Sequence, residues 1–158
     1  MNDYTILKNF DDLDGESKAL LEKAKEALSK AYAPYSNFHV AAGVLLGDGS
    51  VVTGTNQENA AYPSGMCAER VALFTVSSQH PGKIIKKIVV LARLANGTEF
   101  APATSCGACR QVMLEYEQRQ GKPFEVIMQN QDRHWVKTTS AETLLPFCFS
   151  NESLQVRK

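Results

Sequence analysis

Four residues have side chains whose types and spacing suit metal chemistry: Cys67 and Glu69 in "MCAERVAL", and Cys106 and Cys109 in "TSCGACRQVMLEY". A C-x-x-C pair alone serves a redox couple, half of a structural zinc site, or two ligands of a catalytic metal. The third cysteine, Cys67, lies 106 − 67 = 39 residues upstream, and Glu69 follows it by two positions. Three thiolates around Zn²⁺ leave one coordination position open, which suits a catalytic ion rather than a structural one. A structural site has no use for the carboxylate; beside activated water, a carboxylate takes a proton and delivers it to substrate. Cysteines packed as small hydrophobes, or a redox pair with Cys67 incidental, leave Glu69 without a purpose.

Such a site needs elements that bring both motifs to one point. A helix is predicted to start near Cys67, where Val71, Ala72, Leu73 and Phe74 form a broad apolar face. A second is predicted over Cys109 to Gln118. Residues two apart do not share a helix face, but in the first turn side chains splay end-on past the terminus. Two helix N-termini would then meet, and their partial positive charge favours thiolate. Arg70 and Arg110, each next to a key residue, are expected to offset the remaining negative charge by donating to a ligand sulfur.

The rest of the chain reads as a scaffold for that meeting point. Leu20, Leu21, Ala24, Leu28 and Ala31 recur at three and four, predicting an amphipathic helix over Glu16 to Tyr32, with Glu26 and Lys30 paired on its wet side. "HVAAGVLLGDGSVVTGTN" predicts two strands around a turn at Asp48-Gly49. "IIKKIVVLARL" reads as a buried strand, and "PFEVIMQN" and "HWVKTTS" as two shorter ones. Asn96-Gly97 marks a turn, and Ser140 with Thr143 a last helical turn ended by Pro146. The order α-β-β-α-β-α-β-β-α implies one α/β domain over residues 1–158, with a sheet covered by helices on both faces.

Composition narrows the partners. The 158 residues are 44% apolar and 22% charged, and 17 basic residues balance 17 acidic ones. Zero net charge argues against a nucleic-acid platform and suits a small neutral substrate. The N-terminal stretch has no basic region followed by an apolar one, and the strongest apolar run, Ile88 to Ala92, is too short to span a bilayer. The expectation is a cytoplasmic protein with reduced cysteines and no membrane partner. Cys148 has no partner in the pattern and is expected to be a buried structural thiol; His39, His80 and His134 lack ligand spacing.

The order Cys-x-Glu then Cys-x-x-Cys matches the general layout of zinc deaminases. More specifically, "NQENAAYPSGMCAERVAL", "SCGACRQVM" and "LLPFCFS" resemble the short, three-cysteine, homotetrameric class of cytidine deaminases, from about Tyr35 to Ser150. The resemblance implies a three-layer α/β/α cytidine-deaminase-like fold with a mixed sheet of about five strands. It also implies hydrolytic conversion of cytidine and deoxycytidine to uridine and deoxyuridine in pyrimidine salvage. By position, Cys67, Cys106 and Cys109 correspond to the ligands of one Zn²⁺ per chain, and Glu69 to the proton shuttle. Asn56 and Glu58, which period two would set on one side of a strand end, match the ribose-binding pair. Phe38 and Phe149 would be core by default; the resemblance sets Phe38 near the base and Phe149 in a stack at a shared site. The Ala68 N–H matches a contact to the pyrimidine carbonyl, and Ala60 and Tyr62 match positions reaching a neighbouring subunit's nucleoside.

In one departure, Ser105 stands where the family usually has proline, which predicts a looser approach to Cys106. Other readings are a deaminase of polynucleotides or of a cytosine-bearing antibiotic, and a zinc-stabilised binding module.

Overall fold

Asp14 opens the first helix, α1 (Gly15–Ala27), its carboxylate accepting the Ser17 N–H at 2.8 Å. The computed structural model describes residues 3–154. Around α1 it sets strands β1 (Tyr4–Leu7), β2 (Phe38–Leu46) and β3 (Val51–Thr55), then α2 (Ala68–Gln79), β4 (Ile85–Leu94), α3 (Gly107–Gln120), β5 (Glu125–Gln129) and β6 (Trp135–Thr138). The six strands form one mixed sheet in the order β1-β6-β5-β4-β2-β3, with β4 and β5 parallel and the other neighbours antiparallel.

Alternation along the central strands divides the core in two. Ala41 and Leu45 of β2, with Val89 and Leu91 of β4, pack against Leu20, Leu21 and Ala24 of α1. Their neighbours Ala42, Val44, Leu46, Ile88 and Val90 face Ala72, Leu73 and Val76 of α2 and Met113 of α3. Successive strand residues point to opposite faces, so one stretch of apolar sequence serves both layers. Each fully buried leucine contributes about 1.5–3 kcal/mol. The result is the three-layer α/β/α arrangement, and the Tyr116 hydroxyl of α3 locks its two-helix layer by donating to the Leu73 carbonyl at 2.8 Å.

The topology decides where the two cysteine motifs meet. Strands β3 and β4 both run antiparallel to β2, so they are parallel to one another, and β5 is parallel to β4. Helix α2 crosses from β3 to β4, and α3 from β4 to β5, on one face of the sheet. Both helices therefore begin at the carboxyl end of the parallel strands, where open α/β sheets form their ligand crevices.

The sixth strand is β1, an exposed edge strand paired with β6 that sequence pattern did not indicate. Helix α1 stops at Ala27 and tightens into a 3₁₀ turn at Leu28–Lys30 instead of reaching Tyr32. That tightening removes the spacing Glu26 needs to meet Lys30, and Glu26 pairs with Lys23 at 3.0 Å. The last predicted turn is a 3₁₀ turn, Glu142–Leu144.

Beneath the start of α1 lies a charge cluster. The side chain of Lys87, 4% exposed on β4, meets Asp14, Glu16 and Glu125 at 3.1, 3.2 and 3.0 Å. Lys137 of β6 meets Asp14 and Glu125 at 2.8 Å each. Burial acts to raise the Asp14 carboxyl, but Lys137, Ser17 and Lys87 outweigh it and hold the group well below the usual carboxylate range.

Candidate metal centre and active site

Cys67 and Cys106 are the N-caps of α2 and α3, each with extended backbone at its helix mouth. Neither side chain is spent on capping, so both sulfurs are free to point beyond the helix ends. Cys109, on the first turn of α3, is fully buried. The three Sγ atoms lie within 4.8 Å of one another, and those of Cys67 and Cys106 are 3.9 Å apart. With Zn–S bonds of about 2.3 Å, tetrahedral ligand sulfurs lie about 3.8 Å apart, so this donor set fits a zinc ion.

The Cys67 and Cys109 thiols are displaced in opposite directions. Cys109 donates to the Cys67 sulfur and, against desolvation and with Arg70 and Cys106 adding to the effect, lowers the Cys67 thiol to about 5. Cys109, the donor of that pair, is pushed up by it, by burial and by the Glu69 charge. The Arg70 Nη2 lies 3.4 Å from the Cys67 sulfur. Arg110 differs from expectation. Its Nε donates to the Ser105 carbonyl at 2.8 Å and its Nη1 to the Leu144 carbonyl at 3.3 Å, so it secures backbone beside Cys106 instead of a sulfur. Those carbonyls lie outside the α-helices and offer stronger acceptors than a thiol.

Glu69 is the second residue of α2 and only 4% exposed. Desolvation raises its carboxyl, with the Cys67 charge adding to the rise, while its own N–H, the Ser105 hydroxyl and Cys109 oppose it. The group is thereby poised to hold a proton more readily than an ordinary glutamate.

Glu69, Cys67 and Cys106 open into a cavity of about 410 Å³, within the range of about 300–1,000 Å³ that holds small molecules. Phe38, Asn56, Glu58, Tyr62 and Ala68 share its lining. Ala68 opens α2, so its N–H is one of the donors a helix leaves unpaired. The Asn56 amide accepts the Val40 N–H at 2.8 Å and donates to the Phe38 carbonyl at 2.9 Å, extending the β2–β3 pairing to the cavity edge. Glu58 accepts the Tyr35 N–H at 2.9 Å, the Ser36 N–H at 3.3 Å and the Ser36 hydroxyl at 2.5 Å. The Ser36 hydroxyl leads the influences that lower its carboxyl.

Three positions lie toward the outside. Ala60 is exposed and outside the cavity lining. Tyr62 is 74% exposed at the cavity mouth, its ring edge-on to Tyr35 at 5.8 Å. Phe149 is 59% exposed and outside the cavity; its carbonyl accepts from Gln111 Nε2 at 2.7 Å. Cys148 is exposed, not buried, because the chain after Pro146 runs over the surface.

Sequence reasoning passed over two supports of this site. Ser36 lies in a segment read only as a helix stop. Gly54 carried no motif, yet a Cβ there would come within 2.4 Å of the Ala72 nitrogen and 2.5 Å of the Ala68 carbonyl oxygen. Only glycine lets β3 lie this close to the first turns of α2.

Comparison with known proteins agrees with this geometry. The family model "Cytidine and deoxycytidylate deaminase zinc-binding region" matches residues 15–121. The chain is 37% identical over 139 residues to a cytidine deaminase of Halalkalibacterium halodurans, covering 88% of this chain and 98% of that one. It is 39% identical over 135 residues to a cytidine deaminase of Sporosarcina psychrophila, covering 85% and 92%. Among solved structures, cytidine deaminase from Burkholderia pseudomallei superposes with a TM-score of 0.66 at 45% identity, covering 83% of this chain and 97% of that one. The Mycobacterium tuberculosis enzyme gives 0.65 at 30% identity, covering 87% and 99%.

Proposed function

The chain belongs to the cytidine and deoxycytidylate deaminase family, and on that premise we propose that it hydrolyses cytidine and deoxycytidine to uridine and deoxyuridine with release of ammonia. The observation that carries the reading is the buried carboxyl of Glu69 opening into the same cavity as the converging sulfurs of Cys67 and Cys106. Cys67, Cys106 and Cys109 are the residues that would hold one Zn²⁺ per chain. Bound there, the ion supplies Lewis acidity and a nucleophilic hydroxide at neutral pH.

The chain's own groups do the rest. Glu69 accepts the proton of the attacking water and passes it to N3 of the pyrimidine. Oxygen adds at C4, Glu69 takes the remaining proton from that new C4 hydroxyl and delivers it to the amine, and as the C4–O carbonyl forms the C4–N bond breaks and ammonia leaves. Desolvation of its carboxyl suits this traffic, because it makes the group take up a proton more readily than an ordinary glutamate. The Ala68 N–H meets the pyrimidine carbonyl and Phe38 packs near the base. Asn56 and Glu58 bind the ribose and so align C4 with the metal centre.

Ala60, Tyr62 and Phe149 face outward and are assigned to the sites of neighbouring chains in a homotetramer. Free nucleosides as substrates suit a cytoplasmic enzyme of pyrimidine salvage, with neither nucleic acid nor membrane as partner. No helix among the described residues is long and apolar enough to cross a membrane.

Purified protein incubated with cytidine should show the ultraviolet change of amine loss with stoichiometric ammonia. Metal analysis should find one zinc per chain in wild type and Cys148→Ala, and far less in Cys67→Ala, Cys106→Ala or Cys109→Ala. Chelation should abolish turnover before the fold is lost. Metal-loaded protein inert toward both nucleosides would reject the assignment.

A further inference from the structure

Ser105 is 3% exposed, and its Oγ is buried with no hydrogen-bond partner among the described residues. An unpaired buried hydroxyl is costly, and where a native fold keeps one it calls for an explanation. The backbone around this one is pinned. Its carbonyl accepts from Arg110 Nε at 2.8 Å, and Arg110 continues to the Leu144 carbonyl at 3.3 Å. The next residue, Cys106, caps α3 with its sulfur 3.9 Å from that of Cys67, the cap of α2. Ser105 therefore sits where the two helix starts come together. With the backbone held, the hydroxyl is left only its side-chain rotamer and its own torsion to choose.

The other helix start of that junction carries Glu69, the second residue of α2, itself 4% exposed. A carboxylate is the strongest acceptor a buried hydroxyl can find.

We propose that Ser105 is a positioning residue for Glu69: its hydroxyl donates to a Glu69 carboxylate oxygen and holds that side chain in the orientation that exchanges protons with substrate. The proposal rests on the reading of Glu69 as proton carrier. A serine at this place exchanges the stiffness a proline would give the approach loop for a donor aimed at the reacting carboxylate.

The test compares Ser105→Ala and Ser105→Thr in the zinc-loaded enzyme. Ser105→Ala should keep its zinc and unfold within a few degrees of wild type, with kcat about tenfold lower and KM little changed. Ser105→Thr, which keeps the hydroxyl, should recover most of the loss. Binding gives a second readout: affinity for a nucleoside whose C4 is tetrahedral and carries a hydroxyl should fall about tenfold in Ser105→Ala, while affinity for uridine stays the same. In a Glu69→Ala background, the Ser105 change should leave the tetrahedral ligand's affinity unmoved. Wild-type kcat in Ser105→Ala, loss of its zinc, or an equal affinity loss without Glu69 would each overturn the proposal. A fully active Glu69→Gln would overturn the reading of Glu69 and the proposal with it. An inactive Glu69→Gln beside an unimpaired Ser105→Ala would overturn the proposal alone.

Discussion

Glu69 combines burial with proximity to charge: it is 4% exposed, and both desolvation and Cys67 make its proton harder to lose. A carboxylate of that kind serves proton transfer because it accepts a proton more readily than an exposed one. Glu69→Gln keeps volume and polarity but cannot shuttle a proton. Its kcat should fall by at least about 10²-fold with zinc content unchanged. A variant retaining about a tenth of wild-type kcat would assign the proton transfers to another group.

Elements carry the geometry that makes such residues useful. Gly54 lets β3 pass against the backbone of α2, which sets the height of Cys67, Ala68 and Glu69 above the sheet. Backbone atoms cannot yield as a flexible side chain can, so Gly54→Ala must displace the helix. The variant should lose about 1–3 kcal/mol of stability, read from denaturant unfolding. Its zinc affinity should fall as well, because the displaced helix carries one of the three sulfurs. Wild-type unfolding and zinc content in this variant would contradict the close packing.

The charge cluster at the start of α1 makes a pH prediction. The folded state holds the Asp14 carboxyl below its usual value of 3.8, so its stabilising contribution is present above that pH and lost as pH falls toward the folded value. Glu16, lowered from 4.5 mainly by Lys86 and then Lys87, acts in the same direction. Lys87 works at the other end: burial opposes its charge, but Glu125, Asp14 and Glu16 outweigh burial and raise it above 10.5. Its contribution is complete below that pH and lost as pH rises through the folded value. The unfolding temperature should thus be nearly flat from about pH 5 to 9 and fall outside that window. Asp14→Asn keeps an N-cap but removes the charge, so it should lower stability at pH 7 and flatten the acid decline. An acid limb as steep in Asp14→Asn as in wild type would remove Asp14 from the account.

At the scale of the whole molecule, aromatic side chains remain exposed around the cavity mouth and beyond it: Tyr35 at 49%, Tyr62 at 74% and Phe149 at 59%. On the reading of shared sites, these surfaces close cavities built around other chains' metal centres. Closed symmetric assemblies make such contacts reciprocal. Glu69→Gln and a paired Tyr62→Ala, Phe149→Ala variant, each inactive alone, should regain activity when refolded together, because some hybrid sites would join an intact metal centre to intact closing residues. Confirmed hybrids no more active than their parents would mean that each chain completes its own site.

Local order was legible wherever a few neighbouring residues determine it. Periodicity marked α1, α2, α3 and the strands β2 to β6, and Asp48-Gly49 marked the hairpin, where Gly49 takes φ 86°. The chemistry was equally local: Cys67 with Glu69, and Cys106 with Cys109, could be read as two halves of a metal centre. Other features were not local. Strand β1 is four residues long and mostly exposed, so its strand state comes from pairing with β6 and not from its own pattern. Arg110 took the carbonyls of Ser105 and Leu144, the second of which is 34 residues away. Cys148 is exposed because the chain after Pro146 runs over the surface. What the sequence determined by itself was the set of reactive side chains and the helices that carry them, since helix starts and strand alternation depend on interactions within a few residues. Their union was decided by the tertiary structure. Cys67 and Cys106 stand 39 residues apart in sequence and 3.9 Å apart at their sulfurs because β3 and β4 run parallel and both following helices cross on one face of the sheet.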